Sequence, residues 1–210
     1  MLFFQLVGKE YYLVLSCNNY MSDKKNGPTI NRVNTQILKT MYESLQKNPS
    51  EMTTATFYVK SEWNGSFGVT STSNNFTLGG KTMERNNEYK ISYDFPNQFS
   101  GEGRGPTVCE VCMGSLVACM IQTITLHATS RGIRIDSINV DVEGDVNLSG
   151  FTGIDSNVRS GAQQFRVKLR ISSVTASEEQ INELYEIGKK YSPAFDTLTN
   201  GTSIKMIGSQ

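Results

Sequence analysis

The chain has 210 residues, and its 20 basic and 20 acidic side chains cancel. That length suits one domain, and the cancelled charge leaves no overall field to draw the protein to nucleic acid or an anionic membrane face, so neither is expected as a partner. Three of the four cysteines, at positions 17, 109, 112 and 119, fall within eleven residues, unlike the spread-out framework of a secreted scaffold, and point to a reducing cytoplasm.

Residues 1–29 read as a leader. The first twenty are apolar in patches, but Lys9-Glu10 interrupts them and no basic stretch precedes them, so they make a poor signal peptide. Met21 opens a hydrophilic segment, and residues 1–20 are expected to be an extension upstream of it. From Ile30, apolar residues recur at Val33, Ile37, Leu38, Met41, Tyr42 and Leu45, a helical spacing that predicts an appended helix over 30–50, closed by Asn48-Pro49.

The main domain is expected over 51–210. Thr, Tyr, Phe and Val runs from Thr53 to about Phe95, punctuated by Asn64-Gly65, Asn74-Asn75 and Gly79-Gly80, predict an antiparallel meander of three or four strands. A Gly- and Pro-rich connector, 94–105, then leads to Gly105-Pro106, where a long helix begins and runs to Arg131-Gly132. Every residue from Val111 to Ser130 is uncharged. The run is as long as a membrane span, but Gln122, His127 and a series of serines and threonines argue for a buried helix of a soluble protein.

Alternating apolar positions at 133–142 and 165–171 predict two strands separated by a long excursion, Gly144 to Gly161. Ser177-Glu178-Glu179-Gln180 is a capping box for a second helix, which ends before Ser192-Pro193, and a short last strand is expected over 203–207. Strands in runs, not alternating with helices, give an α+β class with a mostly antiparallel sheet.

The chemistry concentrates in the long helix. Cys109 and Cys112 form a C-x-x-C at a helix start, an arrangement that lowers thiol pKa and allows a disulfide, although free cysteines are also ordinary small core residues. A zinc site is weakly supported, since only Cys119 and the single histidine, His127, lie nearby. Cys119 projects from nearly the same side of the helix as Cys112, but the two lie about 10 Å apart along an ideal axis and cannot pair within one helix. That leaves Cys17 as its only other partner within the chain. His127 reads as a satisfied core group, and Trp63 as a cap on a sheet face. Arg104 is a candidate cation for Glu110 or for a thiolate.

Gly-Pro-x-x-x-Glu at 105–110, a cysteine nine residues after the glutamate, and Arg131-Gly132-Ile133 at the helix end resemble the OsmC/Ohr family. The Gly-Asp-Val-Asn-Leu turn at 144–148 and the helix leading to Ser192-Pro193 extend the likeness over about residues 53–207. The resemblance implies an intertwined homodimer, with antiparallel sheets wrapped around long central helices and sites at the subunit interface. It also implies an oxidative-stress enzyme of the organic hydroperoxide reductase type, with Cys119 as the peroxidatic nucleophile and Glu110 orienting an arginine. Arg104 is the candidate for that arginine and Arg85 its competitor.

The family's resolving cysteine precedes a proline after the last helix, and here that position is Ser192. The sulfenic acid at Cys119 would then be reduced by an external thiol. No cofactor is expected. The rival reading is a non-catalytic member that binds an apolar small molecule at the dimer interface; a third is a C-x-x-C redox protein on the same fold.

Overall fold

The structure is a computed structural model that describes residues 27–47, 49 and 53–208. The expectations for residues 1–26 of the leader and for Cys17 therefore lie outside the described residues.

The first elements among the described residues are a small hairpin, β1 (Thr29–Ile30) and β2 (Val33–Asn34), followed by helix α1 (Thr35–Lys47). The helix thus begins five residues later than the apolar spacing predicts. Asn31 and Arg32 both take positive φ, 53° and 61°, as a two-residue type I′ hairpin loop requires, and this turn captures the segment before the helix can start. Asn34 then accepts a hydrogen bond from the Ile37 N–H at 3.0 Å, satisfying one of the orphan donors of the first helical turn.

The meander is richer than expected. Six strands, β3 (Ala55–Phe57), β4 (Lys60–Trp63), β5 (Val69–Ser73), β6 (Phe76–Leu78), β7 (Lys81–Met83) and β8 (Tyr89–Tyr93), form two antiparallel sheets ordered β3-β6-β7 and β4-β5-β8. Breaks at Tyr58-Val59 and Asn74-Asn75 pass the chain from one sheet to the other, so each continuous-looking run is divided between two sheets.

The long helix, α2 (Val108–Ser130), falls where the sequence places it. Thr107 caps it and forms a reciprocal capping box with Glu110. At its other end Arg131 closes the helix and Gly132 follows at φ +74°. It is the one helix among the described residues long and apolar enough to cross a membrane. Of its 23 residues only Leu116, Met120, Thr123, Ile124, Ala128 and Thr129 are buried within the chain.

Beyond α2 the chain forms a hairpin of β9 (Ser137–Val146) and β10 (Ala162–Ser172), which enclose a short helix α3 (Leu148–Phe151) in the expected excursion. In register, Ile138 opposes Ile171, Val140 opposes Leu169 and Val142 opposes Val167, so one face of the hairpin is apolar. The other face is a charged ladder in which Arg166 pairs with Glu143 at 2.6 Å and Arg170 with Asp141 at 2.6 Å.

Helix α4 (Glu178–Lys190) starts at the Ser177 capping box. It packs on α2 where Gly188 stands, because a Cβ there would lie only 2.9 Å from Ile124 Cδ1. The core gathers at this crossing: Ile124, Ala128, Ile133, Leu184 and Ile187, backed by Ile135, Ile138, Leu169, Ile171 and Ala176 of the hairpin side.

Two C-terminal expectations are corrected. Pro193–Asn200 forms a helix, α5, with proline in its first turn and Ser192 as its cap, where the sequence reading had no element. The strand expected over 203–207 is absent. Residues 201–208 have no regular structure, and Ile204, Met206 and Ile207 are largely exposed, so the segment finds no neighbouring strand among the described residues.

Candidate functional site

Cys119 lies midway along α2 and is half-buried, as are Cys109 and Cys112, and all three are free thiols. Spacings of four and seven residues place Ser115 and Cys112 on the same side of the helix as Cys119. Ser115 and Ala118 are exposed, which leaves the approach to the thiol lined by small side chains.

Towards the N-terminus this stripe becomes one wall of an apolar groove of about 350 Å³. Val108, Val111, Cys112 and Ser115 face Val69 and Tyr93, which are register partners on β5 and β8. Cys112 lines the groove, and Cys119 stands one helical turn beyond Ser115, past its end. Cys109 is a poorer nucleophile than its neighbours' chemistry suggests. Burial pushes its thiol pKa up, and proximity to Cys112 and Glu110 adds to the effect.

Glu110 occupies the first turn of α2 but does not hold an arginine within the chain. Its Oε2 accepts hydrogen bonds from the Thr107 N–H at 2.7 Å and the Thr107 hydroxyl at 2.8 Å. Those bonds hold its pKa below the ordinary carboxylate value. Among the described residues it makes no ion pair, and both cap hydrogen bonds fall on the same oxygen.

Within the chain Arg104, the candidate cation for Glu110 or for a thiolate, is bound to a different carboxylate. Its Nε donates to Asp94 Oδ2 at 2.8 Å and a terminal nitrogen donates to the Gly65 carbonyl at 3.1 Å, with Glu102 3.3 Å from Nε. Asp94 is fully buried, and a buried carboxylate must be paired and hydrogen-bonded. It also accepts from the Phe95 and Arg104 backbone N–H groups, and the Arg104 side chain does most to hold its pKa below the usual range. The guanidinium passes so close to Gly68 that a Cβ there would meet it at 2.2 Å. Arg104 thus ties the β4–β5 turn to the connector that launches α2.

The competitor, Arg85, sits 5.1 Å from the Phe76 ring centre and 5.5 Å from that of Tyr89, a cation–π arrangement between the two sheets. Trp63 does not cap a sheet face; it is three-quarters exposed and donates from Nε1 to the Ser66 carbonyl at 2.9 Å. Ser192 is fully buried, and its hydroxyl oxygen accepts from the Phe195 N–H at 3.3 Å. Ser192 is therefore a helix cap.

His127 is a partnered group, stacked on Tyr191 with ring centres 4.9 Å apart and its Nδ1 3.1 Å from an Arg131 terminal nitrogen. Burial first, and Arg131 second, lower its pKa, while Glu183 opposes the shift. Asp94, Val69 and Tyr93 are the site residues that the sequence did not single out. A lone aspartate and an alternating strand carry no local signal of the contact they will make.

Comparison with known proteins gives a concordant picture. The OsmC family, described as OsmC-like protein, matches residues 101–207, just over half of the chain. Among solved structures, an osmotic stress induced and detoxification response protein from Psychrobacter arcticus superposes with a TM-score of 0.51 at 12% identity, covering 68% of this chain and 88% of that one. An OsmC-like protein from Mycoplasma pneumoniae superposes with a TM-score of 0.51 at 20% identity, covering 68% of this chain and 86% of that one. At these identities the likeness is one of fold. No curated protein sequence matches the chain.

Proposed function

The chain belongs to the OsmC family, and from that membership we propose that it is a thiol-dependent organic hydroperoxide reductase of the cytoplasm, with Cys119 as its nucleophile. The observation that carries this reading is the position of Cys119: a half-buried free thiol on the stripe of α2 that continues an apolar groove, with small residues at its approach. In the reaction, the Cys119 thiolate attacks the terminal oxygen of ROOH, the O–O bond breaks, and the departing alkoxide takes a proton to leave as ROH. Cys119 is left as the sulfenic acid. Two equivalents of an external thiol return it to the thiol, giving one disulfide and one water. The external donor is needed because Ser192 cannot resolve the sulfenic acid.

The active form is a homodimer. Tyr58 and Val59 between β3 and β4, Trp63, Tyr89 and Ile91 on the sheets and Val108 on α2 are all exposed in the single chain, more large apolar surface than a solitary soluble domain leaves uncovered. Glu110 keeps one carboxylate oxygen outside its helix cap, on the exposed side of the first turn, and a second copy would bring the guanidinium that this oxygen accepts.

The commitment of Arg104 to Asp94, together with the place of Cys112 in the groove wall, favours a second reading in which the groove holds an apolar small molecule without turning it over. Trapping with dimedone and peptide mass spectrometry separates the two. After brief exposure to cumene hydroperoxide the adduct is expected on Cys119. An adduct on Cys112 alone, or none, contradicts the peroxidase.

A further inference from the structure

The appended N-terminal hairpin and helix are bolted to the end of α2. The Asn31 side chain donates to Thr129 Oγ1 at 3.2 Å and to the Ile133 carbonyl at 2.9 Å, and accepts from the Ile135 N–H at 2.8 Å. Leu38 on α1 is buried beneath, so α1 is held by both a polar clamp and an apolar contact. Between α1 and the C-terminal turn of α2 runs a second groove of about 600 Å³, within the range of small-molecule sites.

The chemistry of this groove is one-sided. Lys39, Tyr42 and Gln46 line it from α1, and His127, Ser130 and Arg131 from α2, and among the described residues no carboxylate lines it. An arginine can only donate, so the His127 Nδ1 that faces Arg131 is the acceptor of that contact and the neutral ring carries its proton on Nε2. The two cations are only loosely neutralised. Arg131 is 3.6 Å from Glu183 and Lys39 is 3.9 Å from Glu43, in ion pairs that are largely exposed. A guanidinium, an ammonium, hydroxyls and amides therefore line a cleft with Leu38 and the Tyr42 ring as its apolar wall.

We infer that this groove is a binding site for a small organic anion, a molecule that presents a carboxylate or phosphoryl group to Arg131 and Lys39 and a short apolar body to Leu38 and Tyr42. Two cations suit one such group, whereas a nucleic acid backbone needs a longer basic track. The site is separate from Cys119 and does not depend on the peroxidase reading. It also gives the appended helix a role, as one wall of the cleft.

The test is titration of the full chain with phenyl phosphate, benzoate and the neutral benzyl alcohol, read by calorimetry and by amide NMR shifts. At least one of the two anions is expected to bind, weakening as salt is raised and moving the amides of Ser130 and Arg131, with the better binder identifying the preferred head group. Arg131→Gln and Lys39→Gln should each weaken binding about tenfold, and Cys119→Ser should leave it unchanged. Because Arg131→Gln also removes the His127 contact, Glu183→Gln provides the opposite arm: by releasing Arg131 from its competing carboxylate it should tighten binding about threefold. Benzyl alcohol binding as well as the anions, no binding by either anion, or a Glu183→Gln variant that binds no tighter than wild type would overturn the proposal.

Discussion

Arg104 donates to the buried carboxylate of Asp94 at 2.8 Å and does not meet Glu110, although only six residues separate it from Glu110 in the chain. The pair fastens the start of α2 to the strand before it, and through Gly65 to the β4–β5 turn. Its consequence is measurable as acid sensitivity. The Asp94 pKa is held down in the folded state, so the stability it contributes is fully present above the unfolded carboxylate pKa and is lost as pH falls through the folded value. Asp94→Asn should be destabilised at neutral pH and show a flatter acid limb in urea midpoints measured from pH 7 downwards. An unchanged limb would remove Asp94 from the account.

Thr107 and Glu110 separate a structural role from a chemical one. Thr107→Ala removes the cap of α2 and should cost roughly 1 kcal/mol in denaturant unfolding while leaving the intrinsic chemistry of Cys119 in place. Glu110→Gln keeps an acceptor for Thr107 but loses the charge that, in the proposed dimer, would pair with a guanidinium, so on that reading its effect should fall on peroxide turnover more than on stability.

The core at the α2–α4 crossing is narrow, and a single truncation there should be felt throughout. Leu184 is fully buried within a cluster of five residues, and Leu184→Ala should cost roughly 2–5 kcal/mol, seen as a fall in the urea midpoint. Ile204→Ala, at a side chain almost wholly exposed within the chain, is the matched control for an isolated chain. If Ile204→Ala also destabilises, and does so only at high chain concentration, a second copy covers the tail.

His127 titrates low. Its folded-state pKa lies below the ordinary histidine value of about 6.5, so the unfolded chain binds more protons than the folded one between the two values. Stability should therefore fall as pH drops from about 6.5 to the folded-state pKa, beyond which this group adds no further slope. The ring's NMR titration gives the value directly, and Arg131→Gln should raise it by removing a neighbouring positive charge.

The sequence made the long-range order of the domain legible because its signals are local and strong. The Gly-Pro start and Arg-Gly end of α2, the Ser177 capping box and the alternation of β9 and β10 each specify an element within a few residues. What it did not reveal depends on partners far away in the chain. Tyr58-Val59 looks like the interior of one strand until two sheets compete for its flanks, and Ile30 to Asn34 looks helical until Asn31 finds Thr129, Ile133 and Ile135 about a hundred residues on. The same holds for the site. Cys119 and Glu110 are singled out by the family motif they match, but Arg104 carries no mark in the sequence of its commitment to Asp94. Ser192 could be read as a missing thiol, yet its burial as the cap of α5 needed the fold.

The most direct test of the central claim is steady-state consumption of cumene hydroperoxide with dithiothreitol as reductant, compared across wild type, Cys119→Ser and Cys112→Ser. The account predicts turnover in wild type and Cys112→Ser, and none above background in Cys119→Ser. No turnover in wild type, or turnover that survives Cys119→Ser and is lost in Cys112→Ser, would contradict it.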